Sequence, residues 1–336
     1  MNKLIIYFLI TLSIFSCRKI ILEEDPKNTP INNFEYLWNI IDIHYSFFEY
    51  KHVNWDSIHT IYSPKIYNSM DKIQLFNVLA SMINELRDAH VQLTSSFNSS
   101  QYEKYFQSSP ENFDNALVNN NYLENNYFTT GPFKHQIISN GTIGYIRYDS
   151  FINTITNDDL DFIINRFQKL NGIILDLRNN GGGYVNNIFI IGSHFIDSSR
   201  LVYYSYIKNG PSHNDFENPD PVYLNPSLNH FSKTVCLLTN RNCYSATSFF
   251  VLALRNFPNV CVIGDTTGGG LGAPSGAELP NGWGIKFSVT KTLDPFGYNF
   301  ENGIPPDIKC FLTSQDKKNG FDTIIERAIS FINDRK

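Results

Sequence analysis

The chain has 336 residues, enough for one large or two modest domains with a substantial core, which excludes a minimal binding module. Its net charge is −5 and it has neither a lysine/arginine block nor an interleaved aromatic-basic stripe, so nucleic acid is not expected as a partner. The 27 phenylalanines and 19 tyrosines suit a packed globular protein rather than a disordered one.

At the N-terminus Lys3 precedes a mostly apolar run over residues 4–15, followed by Ser16 and Cys17, the pattern of a targeting segment. The run is short of the roughly twenty residues that a spanning helix needs. Ile14-Phe-Ser-Cys17 resembles a bacterial lipobox, in which the signal is cleaved before the cysteine. That resemblance implies a signal peptide over residues 1–16, lipidation of Cys17, and a membrane-anchored lipoprotein of the bacterial cell envelope, on its periplasmic or cell-surface side. A plain secretory signal is the alternative. Residues 17–33 then read as a tether, polar toward their end and without apolar periodicity.

Residues 34–93 have helical periodicity, with Leu37, Trp38, Ile41 and Tyr45 on one face and Leu75, Leu79, Met82, Ile83 and Leu86 on another. This helical N-terminal region ends at Arg87-Asp-Ala-His-Val-Gln-Leu93, where a short strand-like run follows. Residues 94–133, rich in Ser, Asn, Gln and Tyr, read as an irregular connection. It is too short for an inserted domain of ordinary size.

From residue 134 strands and helices alternate. Thr142-Ile-Gly-Tyr-Ile-Arg147 reads as a strand, and Asn157-Asp-Asp as the cap of a helix carrying Leu160, Ile163, Ile164, Phe167 and Leu170. A strand over 172–177, a glycine turn and a helical run over 185–195 follow. Further strands are expected over 234–239, 260–263 and 285–290, then a closing amphipathic helix over 321–332. Strands separated by helices imply crossover units and a largely parallel central sheet, an α/β domain over 134–336.

Three turns in this domain can carry chemistry. Leu175-Asp-Leu-Arg-Asn-Asn-Gly-Gly-Gly183 runs a strand into three glycines, which let the backbone approach a ligand and aim N–H groups at it. Cys243-Tyr-Ser-Ala-Thr-Ser248 opens an apolar helix that should stop near Asn256, ahead of Pro258. This puts Ser245 near a helix N-terminus, whose free amides favour developing negative charge. Gly264-Asp-Thr-Thr-Gly-Gly-Gly-Leu-Gly272 is the third. Taken singly, these are also what a tight turn, an N-cap serine and a flexible loop look like.

Together, with Gly-Ile-Pro-Pro-Asp307 near the end, these segments resemble the serine peptidase family that contains the C-terminal processing (tail-specific) proteases and the tricorn core protease. The resemblance covers residues 34–312 and implies a ClpP/crotonase-like catalytic domain. The processing proteases carry a lysine base in the third turn, where this chain has Gly270. The tricorn-like branch uses serine, histidine and glutamate, and the matching residues are Ser245, His90 and Glu301. The resemblance therefore implies Ser245 as nucleophile, His90 as its base and Glu301 as support. Amides of Gly181 or Gly182 and of Ala246 would form an oxyanion hole.

Rivals exist for each role. Ser248 lies near Ser245 on the same helix, Cys243 offers a thiol, and Asp294 and Asp307 compete with Glu301; Asp176 and Arg178 read as a structural pair. Cys236, Cys243, Cys261 and Cys310 have no metal-ligand spacing and read as buried thiols, and neither a metal nor a cofactor is expected. The expected function is a membrane-anchored serine endopeptidase acting on extracytoplasmic peptides or proteins. The alternatives are a noncatalytic peptide-binding lipoprotein on the same fold and a crotonase-like acyl-transfer enzyme. With no PDZ domain, recognition would fall to the helical region and to the loop at 209–230.

Overall fold

The computed structural model describes residues 26–103 and 109–335; the expected signal segment, Cys17 and the first part of the tether lie outside the described residues. The end of that tether is already helix. Thr29 caps α1 (Pro30–His44), its hydroxyl accepting from the Asn32 amide. The chain breaks at Tyr45-Ser46-Phe47, makes one turn over Phe48–Lys51, and continues through α2 (Trp55–Tyr62), capped by Asn54. In α3 (Lys72–Asn84), Asp71 and Gln74 satisfy each other's amides in a capping box.

The apolar faces of these helices, with Leu37, Ile41, Leu79, Met82 and Ile83, do not close a core alone. Leu279, Trp283, Ile285 and Phe287, from far along the chain, complete it. These four lie in or beside a four-stranded antiparallel sheet ordered β11 (Pro274–Glu278), β12 (Gly284–Ser288), β1 (Gln92–Thr94) and β2 (Ser99–Gln101). A sequence boundary at 134 therefore does not divide the packing.

The main sheet has seven strands ordered β14 (Ile308–Lys309), β10 (Val260–Gly264), β9 (Thr234–Thr239), β6 (Gly172–Asp176), β5 (Ile143–Tyr148), β4 (Phe133–Ile138) and β3 (Phe128–Thr130). The pairs from β14 to β5 are parallel and only the last two are antiparallel, as alternating strands and helices require. Successive side chains divide between its two faces. Ile173, Leu175, Val235, Leu237 and Val262 share a core with α4 (Asn157–Phe167), α5 (Asn186–Ser193) and α6 (Ala246–Leu254). Ile174, Cys236, Leu238, Cys261 and Ile263 face α7 (Thr323–Asn333).

Several expectations shift. The cap of α4 is Thr156, one residue before Asn157. The expected strand over 285–290 divides at Val289 between β12 and β13 (Thr290–Leu293), which pairs with β7 (Arg200–Ile207), itself paired with β8 (Asp220–Leu224). The expected loop at 209–230 is thus partly strand. The 94–133 connection holds β2, β3 and a helical turn at Asn115–Val118.

Asp176 and Arg178 are the structural pair expected of them. Arg178 Nε lies 2.9 Å from Asp176 Oδ1 and its Nη1 lies 2.9 Å from Asp322 Oδ2, with all three side chains fully buried. Burial opposes ionisation of Asp176, but the Arg178 guanidinium holds its carboxyl below the usual range. Asp322 also caps α7, accepting from the Ile324 and Ile325 amides, so the cluster ties the end of β6 to the last helix.

Candidate active site

Because β6, β9 and β10 are parallel neighbours, the turns that follow them emerge along one edge of the sheet. These are the three turns singled out above, and backbone bonds lock them together. The Tyr244 amide donates to the Asn180 carbonyl at 3.1 Å and the Ser245 amide to the Gly269 carbonyl at 2.9 Å. Asn180 adds side-chain bonds: its Oδ1 accepts from the Gly182 amide at 3.0 Å and from Thr247 Oγ1 at 2.8 Å.

Held this way, Ser245 adopts φ 55 and ψ −122, a conformation that costs a non-glycine residue about 1–3 kcal/mol and persists only when its surroundings fix it. It stands immediately before α6, a helix whose nine residues are all buried. Among the described residues, the amides of Gly181 and Ala246 have no hydrogen-bond acceptor. Gly182 contributes differently, since Asn180 occupies its amide. Its φ is +98, and a Cβ there would lie 2.7 Å from the Tyr244 carbonyl oxygen and 2.8 Å from the Ala246 nitrogen.

His90 arrives from the N-terminal region, on the turn between α3 and β1. Its Nε2 lies 3.0 Å from Ser245 Oγ. Burial pushes its pKa below the ordinary imidazole value, against the opposing effect of Asp88, so the ring is neutral at pH 7 and its Nε2 can accept a proton. Asp88 organises this turn. Its Oδ1 accepts from the His90 amide at 2.8 Å, and its Oδ2 accepts from Tyr45 Oη at 3.0 Å and Ser288 Oγ at 3.1 Å. The Tyr244 ring packs on the imidazole with centroids 4.8 Å apart.

Glu301 is brought close but makes no direct hydrogen bond to His90. Its Oε2 accepts from the Leu271 amide at 2.6 Å, the Gly272 backbone adjoins both groups, and His90 Nδ1 is buried without a hydrogen-bond partner among the described residues. Burial first, and the nearby Asp88 second, push the Glu301 carboxyl up to about 8. The Lys51 ammonium lies 4.0 Å from Glu301 Oε1 and donates to the Arg87 carbonyl and to Asn302 Oδ1.

The rivals are engaged elsewhere. Ser248 is fully buried, with Oγ bonded to the Cys243 carbonyl and to Thr267 Oγ1. The Cys243 thiol donates to the Leu177 carbonyl, and burial pushes its pKa up to about 12, the opposite of an activated thiol. Asp307 accepts from the Val262 amide and Asp294 from the Phe296 and Tyr298 amides. At Gly270, where the resemblance would place a lysine, φ is +74 and a side chain would run into the Tyr244 phenol. Cys236, Cys243, Cys261 and Cys310 are free thiols. Among the described residues no group of three or more histidines, cysteines or carboxylates is placed to hold a metal.

Sequence reasoning missed Asp88, Asn180, Tyr244 and Lys51 as parts of this site. Asp88 alone carried a signal, two residues before His90, where an aspartate can accept from the histidine amide.

Residues 142–310 match Peptidase family S41, and residues 26–84 match the Tricorn protease C1 domain. Carboxy-terminal processing protease CtpA of Bacillus subtilis is 29% identical over 182 residues, 54% of this chain and 37% of that protein. The chain spans well under half the length of the curated relatives it matches. The crystal structure of a candidate peptidase from Parabacteroides merdae superposes with a TM-score of 0.88 at 40% identity, over 91% of this chain and 97% of that one. Mature CPAF superposes with a TM-score of 0.67 at 12% identity, over 91% of this chain and 98% of that one, a likeness of fold alone.

Proposed function

Since this chain belongs to peptidase family S41, a family of serine-type peptidases, we propose that it hydrolyses peptide bonds in peptides or proteins through Ser245 and His90. The observation that carries this reading is the 3.0 Å approach of His90 Nε2 to a serine hydroxyl on a strained turn.

The chemistry follows from the groups present. The neutral imidazole takes the Ser245 proton as Oγ attacks the scissile carbonyl carbon. The carbonyl oxygen gains negative charge and turns toward the amides of Gly181 and Ala246. His90 then returns the proton to the leaving amine, leaving an acyl-Ser245 ester that water, activated by the same imidazole, hydrolyses. Glu301 supports the base through the Leu271–Gly272 backbone, and Asp88 fixes the turn that presents it. Both are positioning residues, because neither touches the reacting atoms.

The site of action proposed is outside the cytoplasm, with the enzyme held to the membrane by lipid on Cys17. This rests on the lipobox-like sequence; among the described residues no helix is long and apolar enough to cross a membrane. The test is digestion of a denatured protein mixture by the full chain, read by mass spectrometry of new peptide termini. New termini produced by wild type and absent with Ser245→Ala support the reading; none from folded wild type, or equal numbers from both proteins, contradict it.

A further inference from the structure

The lip of the turn at Gly181 to Gly183 carries three large apolar side chains in solvent. Ile152 is 63% exposed, Tyr184 62% and Val185 46%. Single exposed apolar residues are common, but three at one lip, bordered by the exposed polar residues Asn153, Thr154 and Asn186, form a patch.

The backbone beneath them is fixed. The Phe151 amide donates to the Gly182 carbonyl at 3.0 Å and the Tyr184 amide to the Phe151 carbonyl at 3.0 Å, so the two segments run as a short parallel bridge. Asn187, 5% exposed, donates from Nδ2 to the carbonyls of Phe151 and Asn153, both at 2.8 Å. Those residues flank Ile152, so its side chain is held outward by a clamped turn. The same segment touches the nucleophile, since a Cβ on Gly182 would lie 3.0 Å from Ser245 Cβ. The turn that bears the Gly181 amide thus also bears Tyr184 and Val185, so a peptide whose scissile carbonyl met Ser245 Oγ, with its oxygen toward the Gly181 and Ala246 amides, would bring an adjoining residue beside this lip.

We propose that Ile152, Tyr184 and Val185 form an apolar subsite that selects substrates with an aliphatic or aromatic side chain within two residues of the cleaved bond. The proposal rests on the peptidase reading above. Its physical basis is burial of apolar surface on a scaffold that needs no reordering when substrate arrives.

The test digests a peptide library with the full chain and reads residue frequencies around each cleavage by mass spectrometry. It compares wild type, Ile152→Ser, Tyr184→Ser and a control, Ile73→Ser, whose side chain is also 63% exposed but lies on α3. Wild type and control should enrich Leu, Ile, Val or Phe by about tenfold at one position near the bond. Ile152→Ser and Tyr184→Ser should cut that enrichment by half or more at that position alone. A second readout needs no peptide cleavage: wild type should react faster with an alkyl-tailed than with a polyether-tailed fluorophosphonate, and both variants should lose that preference. No apolar enrichment, enrichment that survives both variants, or equal reaction with the two probes would overturn the subsite. Failure of the peptidase reading looks different, as wild type would then give neither cleavage nor labelling.

Discussion

At position 182 the absence of a side chain is a packing requirement. Gly182 lets two turns pack closely: with φ +98, a Cβ there would lie 2.7 Å from the Tyr244 carbonyl oxygen, 2.8 Å from the Ala246 nitrogen and 3.0 Å from Ser245 Cβ. Gly182→Ala is expected to push the Ser245 turn out of position, lowering kcat by about 10²-fold and the melting temperature with it, checked by steady-state kinetics beside thermal unfolding. Glu301 poses a different question, whether charge or hydrogen bonding supports the base. With its carboxyl pushed up to about 8, it is largely protonated at pH 7. Glu301→Gln, which keeps an acceptor for the Leu271 amide, should therefore retain activity within about tenfold, whereas Glu301→Ala should lose more by leaving that buried amide unpaired.

The raised carboxyl also sets a sign for stability. The folded state holds a proton that the unfolded state releases, so this contribution is complete below the ordinary carboxyl range and is lost as pH rises through about 8. Melting temperatures of wild type and Glu301→Gln should diverge between pH 5 and pH 9, with wild type losing more. The acid limb of kcat/KM should lie below the ordinary imidazole value of about 6.5, because burial depresses the His90 pKa. Of the charged neighbours, Asp88 favours the imidazolium while Lys286 and Lys51 oppose it, so Lys286→Met should move that limb upward.

At the scale of elements, the proposed base, His90, is positioned by a strand borrowed from the other end of the chain. β1 pairs Gln92 with Lys286 and Leu93 with Ile285, and Ser288 at the end of β12 bonds to Asp88. Ile285→Ala, at a site 2% exposed, should cost about 2–5 kcal/mol. Amide exchange should rise over residues 92–101 while β9 stays protected. This pairing was invisible in the sequence because it joins residues nearly two hundred positions apart. Strand β9 and helix α6 were legible because both are continuous apolar runs that end at polar or turn residues, Asn240 for the strand and the Asn256 to Pro258 segment for the helix. Strands β7 and β8 were not, since β7 buries only Val202 and Tyr203 deeply and β8 only Leu224, which leaves no alternation to read. At the site, Ser245, His90 and Glu301 were legible through a resemblance of motifs, whereas Asn180 and Lys51 act through contacts that no spacing announces.

Across the whole molecule, the proposed nucleophile and base belong to two packing units, and the unit beside His90 is completed by residues 279–287 from far along the chain. A fragment starting at residue 134 would keep Ser245 and both amide donors, lose His90, and expose Leu279, Trp283, Ile285 and Phe287. It is expected to bind an apolar dye and to lack serine reactivity. The most direct measurement is the rate at which a fluorophosphonate labels the purified full chain, compared among wild type, Ser245→Ala, His90→Ala and Ser248→Ala, with circular dichroism confirming that each is folded. Labelling of wild type and Ser248→Ala, with none in Ser245→Ala and a loss of at least about a hundredfold in His90→Ala, is the predicted result. Labelling that survives Ser245→Ala, or a folded wild type that is not labelled, would contradict a Ser245 nucleophile activated by His90.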